Sequence, residues 1–135
     1  MDRGIYHAPV SLSRWLPVAV WMGVIFAFSA VPSLSSGLGG WDLVLRKCAH
    51  MTEYAILAAL VVRASGSYAL GFALAVAYAC TDEFHQTFVR GRHGSPVDVC
   101  IDAAGALIGL GVCSKAIGRD RARRLWRGRS RSPRA

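Results

Sequence analysis

Apolar residues along this chain gather into four blocks separated by short connections. The first, "WLPVAVWMGVIFAFSAV" at 15–31, runs seventeen residues without a charge. At about 1.5 Å of helical rise per residue it approaches the roughly 30 Å hydrocarbon core of a bilayer. "CAHMTEYAILAALVV" (48–62) is polar in its first half and apolar in its second. "YALGFALAVAYACT" (68–81) is short alone and reaches spanning length if the helix continues through "DEFHQTFV". "VDVCIDAAGALIGLGVCS" (97–114) carries two aspartates near its start. The connections "PSLSSGLGGWD", "RASGS" and "RGRHGSP" are rich in Gly, Ser, Pro and charge, and read as loops and turns. There is no internal repeat.

Polarity is confined to one end of the second, third and fourth blocks, while their other ends are apolar all round. A soluble bundle needs a polar stripe along the whole length of each helix. The pattern therefore predicts an all-α membrane protein, a bundle of four transmembrane helices. Two rivals stay open. Three blocks carry charge and fall short of the usual 20 or so residues, as in a soluble bundle. The first block could also be a cleaved signal peptide, although "AFS" is a poor cleavage site and Pro17 with the aromatic-rich run suits a retained helix.

Charge orients the bundle. From Lys115 onward the chain holds nine basic residues and one acid, whereas the first 114 residues hold seven of each, so the net +8 belongs to the tail. A basic block after the last span stays in the cytoplasm. With four crossings the N-terminus, with Arg3 and Arg14, lies there too, and loops 32–46 and 90–96 face outward. The predicted organisation is a four-helix transmembrane domain over 14–114 and a disordered basic tail over 115–135. The tail suits anionic lipid headgroups, with Trp126 as an interfacial anchor, better than nucleic acid. Cys48, Cys80, Cys100 and Cys113 have no metal-ligand spacing and are expected to be buried free thiols.

With that orientation, charges from separate segments converge at the outer end. Residues 81–102 alone carry eight ionisable side chains: Asp82, Glu83, His85, Arg90, Arg92, His93, Asp98 and Asp102. At about 100° per residue, Lys47, His50, Glu53 and Tyr54 share about a third of a helix circumference. Asp82, His85 and Gln86 share a face, and Glu83 stands about 100° off it. Asp98, Asp102, Gly105 and Gly109 fall within about 60°. The glycine pair allows another helix to approach closely, which would draw both aspartates into the bundle. A charge at the bilayer centre costs about 2.5–3.5 kcal/mol, so pairing is expected, with Lys47 and Arg92 as counter-ions. Ser29 closes the first block at the same end.

"RKCAHMTEYAIL" followed by "YACTDEFHQTFVRGRHGSPVDVCIDAAGALIG" resembles the VanZ-like family of small bacterial integral membrane proteins, and "RWLPVAVWMGVIFAFSAVPS" is similar to that family's opening helix. The resemblance covers roughly 14–112. The family pattern falls on Lys47, His50, Glu53 and Tyr54, then on Asp82, Glu83, Gln86, Arg92, Ser95, Asp98, Asp102, Gly105 and Gly109. Arg90 stands where the family often has proline. The resemblance implies a multi-pass protein of the bacterial inner membrane, in keeping with the cytoplasmic termini expected from the charge. Its namesake is linked to resistance against teicoplanin-type glycopeptides, a role not carried over to this chain.

The candidate site is thus Lys47, His50, Glu53, Asp82, Glu83, Gln86, Arg92, Asp98 and Asp102. If it is an enzyme acting on an anionic lipid or cell-envelope precursor, Lys47 and Arg92 would hold the anion. His50 or Glu53 would serve as general acid or base, and Asp82, Glu83, Asp98 and Asp102 would orient them or bind a divalent cation. A non-catalytic binding or accessory protein uses the same cluster without chemistry. A small proton-coupled transporter would need oligomers to form a pathway, and a structural polar network needs no ligand.

Overall fold

The computed structural model describes residues 12–32 and 40–129, with side chains as far as Asp120. Its elements are α1 (Leu12–Ser29), α2 (Gly40–Ser65), α3 (Tyr68–Gln86) and α4 (Pro96–Arg129), with no strand among the described residues. Arg3, loop residues 33–39 and tail residues 130–135 lie outside that description.

Local chemistry sets the turns. Gly66 ends α2 in a left-handed conformation, φ +74°, that a side chain would strain. One residue later the Ser67 hydroxyl accepts the Leu70 N–H at 3.2 Å and caps α3. Gly91, also at positive φ, turns the loop between α3 and α4.

Helix α2 is the hub, packing most extensively on α4, then on α3, then on α1. The α2–α4 seam is closed by glycine. A Cβ on Gly105 would sit 2.3 Å from the Met51 carbonyl oxygen, and one on Gly109 2.2 Å from that of Ala55. The core is built of Val18 and Ile25 from α1, Tyr54, Leu57, Ala58 and Val61 from α2, Ala75 and Ala79 from α3, and Ala106 from α4. Of the other helices, α1 touches only α2 and α3.

Outside this narrow core, large apolar side chains are exposed along α1 and α4. Leu12, Leu16, Val20, Phe26 and Phe28 of α1 and Leu107, Ile108 and Val112 of α4 are exposed. Such continuous apolar cover marks a surface meant for lipid or protein rather than water. Among the described residues, Leu12–Ser29 and Pro96–Asp120 are long and apolar enough to cross a membrane. Their apolar windows are only 17% and 22% buried, whereas the core helix of a soluble protein is mostly covered. Helices α2 and α3 do not join them, because both carry several ionisable residues.

Three expectations need correcting. Helix α2 begins at Gly40, so "GWDLVLR" (40–46), expected within the outward loop 32–46, is helix. Helix α4 does not stop at Ser114 but runs on through basic residues to Arg129. Cys48, Cys80 and Cys100 are exposed and Cys113 half-buried, all of them free. An apolar neighbourhood in sequence signals a core only when protein surrounds the helix, and these thiols lie on its outward side.

Candidate functional site

The polar ends of the helices enclose a cavity of about 210 Å³. Helix α2 contributes Leu43, Arg46, Lys47 and His50; α3 contributes Glu83 and Gln86. The intervening loop adds Gly91, Arg92 and His93, and α4 adds Asp98, Ile101 and Asp102. Glu83, Gln86 and Asp102 are buried and form the floor, while Gly91 and His93 are exposed at the mouth.

Lys47 is paired with Asp98, binding the second turn of α2 to the first turn of α4. One turn deeper, His50 Nδ1 lies 3.6 Å from Asp102 Oδ1, close enough for an ion pair but too long for a hydrogen bond. The glycine seam beneath sets this spacing, because it lets the two backbones touch.

Two carboxylates on successive residues of α3 are clamped by neutral donors. The Ser29 hydroxyl donates to Asp82 Oδ2 at 2.7 Å, and Gln86 Nε2 donates to the same oxygen at 3.1 Å. Gln86 Nε2 also lies 3.3 Å from Glu83 Oε1, and the Ser95 N–H donates to Glu83 Oε2 at 2.9 Å. The loop can reach Glu83 because Gly94 lies against α3: a Cβ there would be 2.3 Å from the Glu83 carbonyl oxygen.

Arg92 takes a part other than that of counter-ion. Its Nε donates to the Val31 carbonyl and an Nη to the Phe28 carbonyl, both at 3.0 Å, and it forms no ion pair with a carboxylate among the described residues. It satisfies carbonyls left over at the end of α1, a favourable place for a cation. Burial, and the Arg46 guanidinium beside it, hold the Arg92 pKa below the ordinary arginine value, against the pull of Asp82, Glu53 and Glu83.

The VanZ/LLP1 family model matches residues 9–118, most of the chain and all of the cavity wall. The chain belongs to the VanZ/LLP1 family. No curated protein and no solved structure matches it. Membership, together with two helices apolar enough to cross a bilayer, points to a membrane protein.

Within this VanZ/LLP1 fold, seven of the nine candidate residues line the cavity: Lys47, His50, Glu83, Gln86, Arg92, Asp98 and Asp102. Asp82 lies just behind it, buried, with a donor atom close to those of His50 and Glu83. Glu53 does not line the cavity. Its backbone carbonyl instead accepts Trp21 Nε1 from α1 at 2.9 Å. His85 also stands apart, stacked on Phe26 with ring centroids 4.3 Å apart.

Arg46 and His93 were missed as site residues. Arg46 lies four residues before His50, on the same helix face, a signal available in the sequence. Glu83, off the face of its neighbours, is buried nonetheless because the loop folds back over it.

Proposed function

We propose that this VanZ/LLP1 protein spans the cytoplasmic membrane four times, with both termini in the cytoplasm, and takes an anionic phosphate headgroup into the outer-end cavity. The observation that carries the reading is the cavity's make-up. Arg46, Lys47, Arg92 and His93 line it above a buried polar floor, beside helices α1 and α4 that expose large apolar side chains. Its volume is many times the roughly 10–15 Å³ one water needs. Arg92 uses three of its five N–H groups on Phe28, Val31 and Gln86, leaving donors for a bidentate contact. The orientation rests on the basic residues from Lys115 onward, which favour the cytoplasmic side.

A phosphate monoester of this kind arises either on a membrane lipid or on a lipid-linked envelope intermediate. The test titrates purified protein, in nanodiscs of zwitterionic lipid, with short-chain phosphatidic acid, a polyprenyl phosphate and inorganic phosphate. The expected result is saturable binding of at least one lipid phosphate, weakened tenfold or more by Arg46→Gln and by His93→Gln. Arg63→Gln, on an exposed residue at the far end of α2, should leave binding unchanged. No saturable binding of any of the three ligands, or equal loss with Arg63→Gln, overturns the reading. Reporter fusions at the C-terminus and in loop 90–96 test the orientation, with the loop alone expected outside.

A further inference from the structure

We propose that His50, Asp82 and Glu83, with Asp102 behind them, form a site for one divalent transition-metal ion. The proposal stands on geometry independent of any phosphate ligand. One donor atom from each of His50, Asp82 and Glu83 lies within 4.8 Å of the others. Around an ion with ligands at roughly 2.0–2.6 Å, opposite donors stand about 4–5 Å apart and adjacent ones closer. The three therefore fit one coordination sphere.

Unpartnered atoms supply the second, separate observation. Asp82 is 2% exposed and its Oδ1 has no hydrogen-bond partner; Asp102 is 1% exposed and neither of its oxygens has one. His50 Nδ1 is likewise buried without a hydrogen bond, its nearest carboxylate oxygen being Asp102 Oδ1 at 3.6 Å. Buried acceptors are almost always satisfied, and a carboxylate left bare in a low-dielectric interior is costly. The donors already in place do not relieve that cost. Ser29, Gln86 and the Ser95 N–H are neutral, so they orient Asp82 and Glu83 without cancelling their charge. Lys47 is paired with Asp98, and Arg92 donates to the carbonyls of Phe28 and Val31 and to Gln86, so neither forms an ion pair with Asp82, Glu83 or Asp102.

The arrangement matches what metal sites require. Carboxylate oxygens with one imidazole nitrogen suit Mn²⁺ or Zn²⁺ rather than an all-oxygen calcium shell. Ser29 and Gln86 stand as outer partners that fix Asp82, as hydrogen-bonded carboxylate ligands require. The cavity, lined by His50, Glu83 and Asp102, provides the entry path.

The experiment uses the full chain in detergent without added lipid, stripped with a chelator and dialysed, so that it is blind to headgroup binding. Calorimetric titration with Zn²⁺ and electron paramagnetic resonance with Mn²⁺ should give one ion per chain. Asp82→Asn and Glu83→Gln, close isosteres, should each weaken binding by about 100-fold or more. Ser29→Ala should cost roughly 10–100-fold, as outer partners do. Gel filtration and circular dichroism establish that each variant is folded. Bound Mn²⁺ should show nitrogen modulation in pulsed spectra that His50→Gln abolishes. Failure of the folded wild-type chain to bind either ion overturns the site. So does full-strength binding by both carboxylate variants, or a nitrogen signal that survives His50→Gln.

Discussion

Replacing Gly109 by alanine tests whether the α2–α4 seam holds the site together. The new Cβ would lie 2.2 Å from the Ala55 carbonyl oxygen, where ordinary contact begins near 3.4 Å. The obstacle is backbone, which no rotamer change can move aside, so the helices must part by about 1.2 Å at that level. Overpacking of this kind costs about 1–3 kcal/mol. The same opening would carry His50 and Asp102 beyond their present 3.6 Å, since they belong to the same two helices about two turns away. Gly111→Ala is the matched control: nothing lies within 4 Å of its Cβ, and alanine favours helix by up to about 1 kcal/mol. Equilibrium unfolding in mixed detergent micelles, followed by circular dichroism, compares the two. Gly109→Ala should fall 1–3 kcal/mol below wild type, and Gly111→Ala should match or exceed it. Equal stability of the two variants would refute the close-contact argument.

Ser29→Ala leaves Asp82 Oδ2 with Gln86 as its one remaining side-chain donor and removes a 2.7 Å bond across a buried seam. The expected loss is about 1.5–3 kcal/mol in the same unfolding assay; a change under about 0.5 kcal/mol would mean the bond contributes nothing net. Cys48, Cys80 and Cys100 project outward from apolar helix surface. In intact membranes a membrane-impermeant maleimide should leave them unmodified, and in SDS it should label all four cysteines. Rapid labelling of the three in membranes would place those faces in water.

Periodicity carried much of the site because its residues sit on regular helices. Asp98, Asp102, Gly105 and Gly109 share one face by angle alone, and that face is the one pressed against α2. The convergence of three helix ends followed from the alternation of polar and apolar ends. What stayed hidden depends on irregular backbone or on the surrounding medium. Glu83 is covered by a loop whose path is set by Gly91 and Gly94, and helical angles say nothing about a loop. Arg92 looked like a counter-ion because charge pairs are the obvious partners, yet it found carbonyls at a helix end. The cysteines were misjudged because an apolar neighbour in sequence does not tell protein from lipid. The start of α2 was obscured by the glycine-rich stretch running into it.

Helix α1 is fastened entirely by partners far along the chain: Trp21 to Glu53, Met22 to Tyr78, Ser29 to Asp82, and Phe28 to Arg92. During synthesis it therefore emerges long before anything exists to hold it, while the α2–α3 hairpin closes through its own short turn. Those partners all precede α4, so α1 can close on the α2–α3 hairpin before α4 is complete. That closure seats Ser29 on Asp82, so the clamp on one buried carboxylate is set before α4 brings Asp98 and Asp102 to the cavity.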